Sequence, residues 1–218
     1  MRSGIEFKEA DSSKYQEFEQ DFFRQNSLVV APALVGCVIF TERNGEVTGG
    51  IITETEAYPA FDPASHVYGL KRVTPRTEVQ YKEGGCLYVY LIMGLHVMTS
   101  VVTSRSGVAD VVFIRSLEPL IGIEEMRKRR KYFGKDLRRL TAGPGRLSEA
   151  LDIGLQDQSK SLFDPDSKVT ILKDNLFCAP IESGKRVNLG VSKAKGNEAQ
   201  VSVDQPWRFY LKDSLFLS

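Results

Sequence analysis

Two carboxylates separated by one residue are the first candidates for chemistry in this chain. Glu54 and Glu56 lie in residues 50–56, which predict a β-strand, and Tyr58 follows two positions later. Side chains alternate across a strand, so all three are expected on one face. One carboxylate can then act as a general base while the other orients it or tunes its pKa. A solvated strand face explains the same pattern, and a sugar hydrolase could use the same pair of carboxylates.

A histidine and two tyrosines downstream add further candidates. His66 lies in an irregular stretch, residues 59–86, and a loop of this length in a compact domain is usually functional or disordered. Tyr88 and Tyr90 share one face of a strand predicted at residues 87–93. Each also has an ordinary structural interpretation, because single histidines are commonly structural hydrogen-bonding residues and strand tyrosines mostly pack against neighbours.

The elements that must position these residues follow from hydrophobic periodicity and turn residues. Asn44-Gly45 between two apolar runs predicts a hairpin, and no composition break suggests a second domain. We expect one α+β domain over residues 14–218, with a largely antiparallel sheet flanked by helices, and a loose N-terminal arm at residues 1–13. The predicted helices cover residues 14–24, 29–36, 122–132 and 145–151, and the predicted strands cover residues 35–40, 50–56, 87–93, 110–115, 169–172, 186–191 and 208–211.

The composition is that of an ordinary globular domain. The chain has 218 residues, of which 42% are hydrophobic and 26% charged, and its formal net charge is +1. No stretch approaches the roughly 20 apolar residues that a membrane-spanning helix needs. Two histidines and three scattered cysteines, with no CxxC motif, suggest neither a zinc site nor a disulfide framework. We therefore expect an intracellular protein without a metal and without a membrane partner.

Basic residues concentrate between Arg127 and Arg139. Eight lysines and arginines in this block are opposed by Asp136 alone. Such a block can contact a polyanion even when the net charge of the protein is small. A solvated face of a helix explains the block equally well.

Short sequence segments spread along the chain carry a family resemblance. They are, in order, Thr53-Glu54-Thr55-Glu56-Ala57-Tyr58, Asp62-Pro63-Ala64-Ser65-His66, Thr74-Pro75-Arg76, Leu87-Tyr88-Val89-Tyr90, Ile114-Arg115-Ser116-Leu117-Glu118-Pro119, Gly143-Pro144-Gly145-Arg146-Leu147 and Pro206-Trp207-Arg208-Phe209-Tyr210. Together they resemble the alkyladenine (3-methyladenine) DNA glycosylase family over about residues 17–218. The resemblance implies a curved antiparallel sheet and a monofunctional hydrolase, free of cofactors, that removes alkylated purines from double-stranded DNA and leaves an abasic site.

The resemblance also implies roles for individual residues. Glu56 matches the glutamate that activates water, and Arg115 matches an arginine near that water and the DNA backbone. Tyr58, His66 and Tyr90 match residues that wall the base pocket. The chemistry is consistent, because a carboxylate can both accept a proton from water and stabilise the positive charge that develops on the sugar. Aromatic faces attract a cationic alkylated purine, by about 0.5–2 kcal/mol per contact.

Two positions depart from the family pattern. Met93 stands where family members often insert a tyrosine into the DNA gap that the flipped base leaves, and minor-groove wedges do include methionine. Ser100 stands where family members commonly carry an asparagine that lines the pocket. The loop between Tyr58 and His66 is one residue shorter than the family pattern.

Contacts to the DNA backbone are expected from arginines and lysines. The basic block supplies part of that surface, and the resemblance adds Arg76 and the turn that contains Arg146. The candidates are Arg76, Arg127, Arg130 and Arg146. We expect a monomer that works on DNA in a bacterial cytoplasm, associated with the nucleoid, or in the nucleus of a eukaryote.

Two other functions are compatible with the same residues. A non-catalytic protein that binds alkylation lesions would keep the pocket but lose turnover through Met93 and Ser100, although retention of Glu56 and Arg115 argues against it. A hydrolase of free nucleosides or sugars could use the paired carboxylates. The basic block and the Met93-Gly94 turn argue against that second alternative.

Overall fold

One sheet runs through the part of the chain that the structure, a computed structural model, describes: residues 14–69, 72–189 and 196–218. Its strands are β1 (Tyr15–Glu17), β2 (Val38–Arg43), β3 (Glu46–Tyr58), β4 (Leu87–Ile92), β5 (His96–Thr103), β6 (Asp110–Ile121), β7 (Val169–Asp174), β8 (Ile181–Gly184) and β9 (Arg208–Leu211). They follow the order β1-β7-β2-β3-β6-β5-β4, and β9 joins this path by pairing with β3 and with β8. Every one of these pairings is antiparallel.

Helices cover the sheet and close the core. The α-helices are α1 (Gln20–Phe23), α2 (Ser27–Leu34), α3 (Ile123–Arg130), α4 (Arg138–Thr141), α5 (Pro144–Ala150) and α6 (Gly196–Asp204), and short 3-10 helices occupy Glu78–Tyr81 and Leu155–Asp157. Helix α2 packs on β3 and β6, and α5 packs on β5 and β6. Val30 and Leu34 of α2 and Leu147 of α5 are fully buried in this core. Within the described residues, no helix combines the length and the hydropathy that crossing a bilayer requires.

Strand β3 is the centre of the sheet and carries the paired carboxylates. Strand β6 pairs with one edge of β3, whereas β2 and β9 share the other edge, with β9 opposite Glu54–Glu56. The register between β3 and β6 shifts between Ile52 and Glu54 and again between Glu54 and Thr55. Such bulges bend a strand and re-aim its side chains. These two bulges lie next to Glu54, the first of the two candidate carboxylates.

Two tight hairpins shape the sheet. Asn44 and Gly45 both have positive φ, 54° and 82°, between the paired ends of β2 and β3, which confirms the hairpin that their sequence predicts. Met93 and Gly94 also have positive φ, 52° and 69°, and they turn the chain from β4 into β5. The second hairpin lies at one edge of the sheet, since β4 is the terminal strand of the order.

The predicted α+β architecture with an antiparallel sheet is confirmed, but the helix predicted at residues 14–24 is wrong. These residues form β1 and the short α1, because Tyr15 pairs with Asp174 of β7 and its neighbours continue that ladder. The aromatic spacing that suggested a helix still serves packing: Phe18 and Phe22 stack at a centroid distance of 4.2 Å. Long-range strand pairing has overridden the local pattern here.

The strand predicted at residues 186–191 is also wrong over its described part, because residues 186–189 form a turn and irregular backbone. The sequence patterns do not predict β5, β8, α4 or α6, although β5 is rich in valine and threonine, which favour strands. The other predicted elements are present, and β3 and β6 are longer than expected. The predicted N-terminal arm, residues 1–13, lies outside the described residues.

Candidate active site

Glu56 is fully buried, and three donors hold its carboxylate. The Tyr58 hydroxyl donates to Oε2 at 2.9 Å, and Arg115 Nη1 donates to the same oxygen at 3.2 Å. The backbone N–H of Val187 donates to Oε1 at 2.7 Å. The predicted strand alternation places Glu56 and Tyr58 on one face, and the direct hydrogen bond between them confirms it.

The environment of Glu56 raises the pKa of its carboxyl group. Burial is the largest cause, and the proximity of Glu54 adds to it. The charge of Arg115 and the hydrogen bonds from Val187 and Tyr58 offset part of this increase. A carboxylate with a raised pKa binds protons more strongly than an exposed one, which makes it a better general base near neutral pH.

Glu54 lies behind Glu56 and binds a second set of partners. Its Oε1 accepts from Arg115 Nε at 3.0 Å and from Arg208 Nε at 2.6 Å, and its Oε2 accepts from the backbone N–H of Ser218 at 2.6 Å. Arg115 therefore bridges the two carboxylates. Glu54 is fully buried and does not reach the cavity described below, so its contacts orient Arg115 rather than a substrate.

A cavity of about 330 Å³ lies beside this cluster, at the lower end of the range for ligand pockets. Glu56 does not itself line the cavity, but its three hydrogen-bond partners, Tyr58, Arg115 and Val187, all do. The carboxylate thus lies directly behind the cavity wall. His66, Tyr90 and Ser100, the other residues predicted for a base pocket, line the same cavity.

Aromatic rings form much of the cavity wall. Tyr88 and Tyr90 stack with centroids 4.8 Å apart, and the ring of His66 meets Tyr90 edge-on at 5.0 Å. His66 Nδ1 and the Tyr88 hydroxyl are 3.1 Å apart. The guanidinium of Arg76 lies 4.8 Å from the Tyr90 ring centroid. Because burial raises the pKa of Tyr90, its hydroxyl stays neutral and the wall offers uncharged aromatic faces.

The β4–β5 turn exposes a group of apolar side chains next to this cavity. Met93 is 85% exposed and Leu95 is 76% exposed at the tip of the hairpin. Ile92, the last residue of β4, lines the cavity itself. Exposed apolar side chains of this kind can enter stacked bases, so Met93 remains the candidate for the wedge that the sequence predicts.

A second groove, of about 640 Å³, adjoins the first and is rich in arginine. The two share Met98, Arg115, Pro144 and Asn188 in their linings. Its arginines are Arg115, Arg130, Arg138, Arg139 and Arg146. The groove thus brings together Arg130 and Arg146, two of the four arginines predicted to contact DNA.

The other two predicted backbone contacts lie elsewhere. Arg76 lies over Tyr90 near the cavity. Arg127 is turned toward its own segment, where Nη1 donates to the carbonyl of Gly134 at 2.6 Å and Nε pairs with Glu124 at 3.3 Å. Its side chain is not part of the groove lining.

A buried ion pair that sequence patterns do not reveal supports the cavity wall. Arg186 and Asp62 are paired with both side chains fully buried, and Arg186 Nη1 also donates to the carbonyl of Ala57 at 2.9 Å. The guanidinium lies 4.4 Å from the Tyr58 ring centroid and 5.0 Å from that of Trp207. Arg186 therefore anchors the segment that presents the Val187 N–H to Glu56.

The described residues include no group of three His, Cys, Asp or Glu side chains that could hold a metal ion. The polar groups around the cavity include hydroxyls, a guanidinium, a histidine ring and amides, with the buried carboxylate behind its wall. This set can hold and deprotonate a water molecule and can stabilise positive charge on a bound group.

Comparison with known proteins points to one family. The sequence model described as methylpurine-DNA glycosylase matches residues 21–215. Three similar bacterial proteins carry the name "Putative 3-methyladenine DNA glycosylase". They come from Francisella tularensis subsp. tularensis (36% identity; 89% of this chain and 95% of the relative covered), Natranaerobius thermophilus (38%; 93% and 98%) and Clostridium acetobutylicum (37%; 91% and 96%).

Proposed function

Since this chain belongs to the methylpurine-DNA glycosylase family, we propose that it flips alkylated purines out of duplex DNA and hydrolyses their N-glycosidic bonds. The substrates are purines of the 3-methyladenine and 7-methylguanine type. The observation that carries the proposal is the buried carboxylate of Glu56, held by Arg115, Tyr58 and Val187 behind the wall of an aromatic cavity.

The reaction assigns one role to each part of the site. The base enters the cavity, because an atom inside a base stack cannot be reached, and the aromatic wall attracts its positive charge. Glu56 takes a proton from water, the hydroxide oxygen bonds to C1′ of the sugar, and the purine leaves with the electron pair of the broken bond. Alkylation makes the purine cationic, so it departs as a neutral base. No lysine adduct with the sugar is needed, so an abasic site remains and the strand stays intact.

A single-turnover excision assay tests the proposal. The protein, in excess over duplex DNA that carries one 3-methyladenine, should release the base and leave an alkali-labile abasic site. Binding of the lesion duplex without release would support the non-catalytic lesion binder instead. Undamaged duplex should compete in this assay, whereas a hydrolase of free nucleosides would be indifferent to it.

The rate of excision should fall on the acid side, because Glu56 acts as a base only when ionised. Burial raises the pKa of this carboxyl, so the loss should occur as pH falls through a value above about 4.3, that of an ordinary glutamate. Above that pKa the rate should be flat. The measurement is the single-turnover rate on 3-methyladenine. The positive charge of this lesion comes from the methyl group and not from a proton at N3, so the pH profile reports on the protein.

Tyr58→Phe provides the internal check on this pH profile. The Tyr58 hydroxyl donates to Glu56 and lowers its pKa, so its removal should move the acid limb to higher pH. A limb that stays in place, or that lies at the value of an ordinary glutamate in the unchanged protein, would contradict the assignment of Glu56 as the titrating base.

Met93 is proposed to fill the gap that the flipped base leaves. Met93→Tyr should tighten binding to a lesion duplex by about 3- to 10-fold, because an aromatic ring stacks on bases better than a thioether does. Leu176→Tyr is a matched control, since Leu176 is similarly exposed but lies after β7, near the opposite edge of the sheet from β4. Equal effects of the two substitutions, or none, would show that Met93 is not the wedge.

The arginine-rich groove is proposed to hold the phosphate backbone beside the flipped nucleotide. Arg130 pairs with Glu149 and Arg138 pairs with Asp136, so part of the positive charge of the groove is already balanced. Arg146 donates to the carbonyl of Ala142 and belongs to none of the ion pairs among the described residues. We expect one protein molecule to act on chromosomal DNA as a monomer, with an affinity that falls steeply with salt.

A further inference from the structure

Gln80 carries a buried amide that no described residue satisfies. It lies on the 3-10 helix Glu78–Tyr81, is 0% exposed and lines the cavity. Neither its Oε1 nor its Nε2 has a hydrogen-bond partner of acceptable geometry among the described residues. Most buried polar side-chain atoms in proteins are hydrogen-bonded, so an amide with both ends unpaired calls for an explanation.

Tyr88, a neighbour of the Gln80 amide, is engaged by other groups. Its hydroxyl is 3.1 Å from His66 Nδ1, and Arg76 also acts on it. Burial raises the pKa of Tyr88, while Arg76 and then Gln80 lower it, so Gln80 lies close by. Tyr88 interacts with the amide without reaching full hydrogen-bond geometry, so a group inside the cavity can compete with it for one amide atom and finds the other unpaired.

The two polar side chains that contact Glu56 are committed. The Tyr58 hydroxyl donates to Glu56, and Arg115 binds both Glu54 and Glu56. Gln80 thus differs from them in having a donor and an acceptor side by side and unused. An apolar side chain of similar size would suit a purely structural role better, because burial of an unpaired amide is unfavourable.

We propose that Gln80 is a specificity-determining residue that pairs with the N7 edge of the flipped base and favours 6-aminopurines over 6-oxopurines. This inference rests on the proposed function. Glutamine pairs bidentately with adenine because the exocyclic amino group is a donor next to a ring-nitrogen acceptor. An adenine lesion methylated at N3 offers that pair through N6 and N7. A guanine lesion methylated at N7 offers the amide only the O6 acceptor on this edge, because the methyl group occupies N7.

The selectivity for an adenine lesion should therefore depend on the Gln80 amide. Gln80→Leu should lower the single-turnover rate on 3-methyladenine by about 10- to 100-fold, the worth of one bidentate contact, and the rate on 7-methylguanine by less than about threefold. The midpoint of thermal unfolding should stay the same or rise, because the unpaired amide is gone. Gln80→Met, which conserves length, should reproduce the loss.

A matched control makes the same chemical change elsewhere. Gln16 is exposed on β1, at the far edge of the sheet from β4, and Gln16→Leu should leave both rates unchanged. Equal losses on the two lesions in Gln80→Leu, or no loss on either, would overturn the assignment. A fall in the unfolding midpoint together with equal losses would assign Gln80 a structural role instead.

A binding arm separates this inference from the proposed function. Glu56→Gln protein, with and without Gln80→Leu, is titrated with duplexes that contain 3-deaza-3-methyladenine, which keeps N6, N1 and N7, or 7-deaza-7-methylguanine, which keeps O6 and N1. The ratio of the two Kd values should change by about tenfold or more with Gln80→Leu. An unchanged ratio contradicts the role of Gln80, whereas absence of excision by the unchanged protein contradicts the proposed function alone.

Discussion

Glu56→Gln should lower the single-turnover rate of base excision by at least about 10²- to 10⁴-fold, the usual contribution of a general base. Glutamine has the size of glutamate but cannot take a proton from water, and it lacks the negative charge that stabilises the developing oxocarbenium ion. Affinity for lesion duplex should stay within about tenfold, because aromatic rings line the cavity and Glu56 does not.

The control for this variant is Glu46→Gln, the same change at the exposed start of β3. It should leave the rate unchanged. Both variants should be compared by circular dichroism, because the Glu56 carboxylate accepts from Val187, Tyr58 and Arg115 and an amide can accept fewer of these bonds. A folded Glu56→Gln protein with a near-normal rate would remove Glu56 from the role of base.

Asp62→Ala should lower the free energy of unfolding by about 3–5 kcal/mol, the range for breaking a buried ion pair by removing one partner. The Asp62 carboxylate is fully buried and accepts from Arg186, from the Ser202 hydroxyl and, at 3.0 Å, from the backbone N–H of Ala64. Its removal leaves the Arg186 guanidinium buried without its counter-charge. Urea denaturation monitored by tryptophan fluorescence measures the change.

Asp136→Ala is the matched control, because Asp136 pairs with Arg138 at 2.8 Å on the surface and exposed pairs contribute little. It should leave the unfolding midpoint unchanged within error. Similar losses of stability from the two substitutions would mean that burial does not increase the contribution of the Asp62–Arg186 pair to stability. Because Arg186 precedes Val187 and packs on Tyr58, Asp62→Ala should also slow excision by the protein that remains folded.

Local sequence rules were sufficient for the features that depend on near neighbours. The two-residue period of a strand placed Glu54, Glu56 and Tyr58 on one face, and the contacts of Arg115 with both carboxylates agree with it. Asn44-Gly45 predicted a tight hairpin because few other residue pairs accept positive φ at both positions. The family resemblance pointed to His66, Tyr90 and Ser100, which the structure brings together around one cavity.

Features that depend on distant partners could not be predicted in this way. Residues 14–24 have helical aromatic spacing, yet Tyr15–Glu17 becomes a strand because β7 lies beside it. The donor to Glu56 from Val187 is a backbone amide 131 residues away, which no side-chain motif can reveal. Arg186 pairs with Asp62 across 124 residues, and neither residue type suggests a buried partner by itself.

The sequence by itself, with its family resemblance, identified the candidate groups: a carboxylate proposed as the base, rings proposed to hold a cationic purine, and a hairpin with an apolar residue at its turn. Only the tertiary structure decided the burial, the hydrogen-bond partners and the positions of these groups. Burial raises the pKa of Glu56, distant backbone and side-chain donors hold it behind the cavity wall, and Gln80 is left facing the cavity unpaired. The physical reason is that backbone propensity acts over a few residues, whereas desolvation and hydrogen bonding in a core depend on whichever segments the sheet brings into contact.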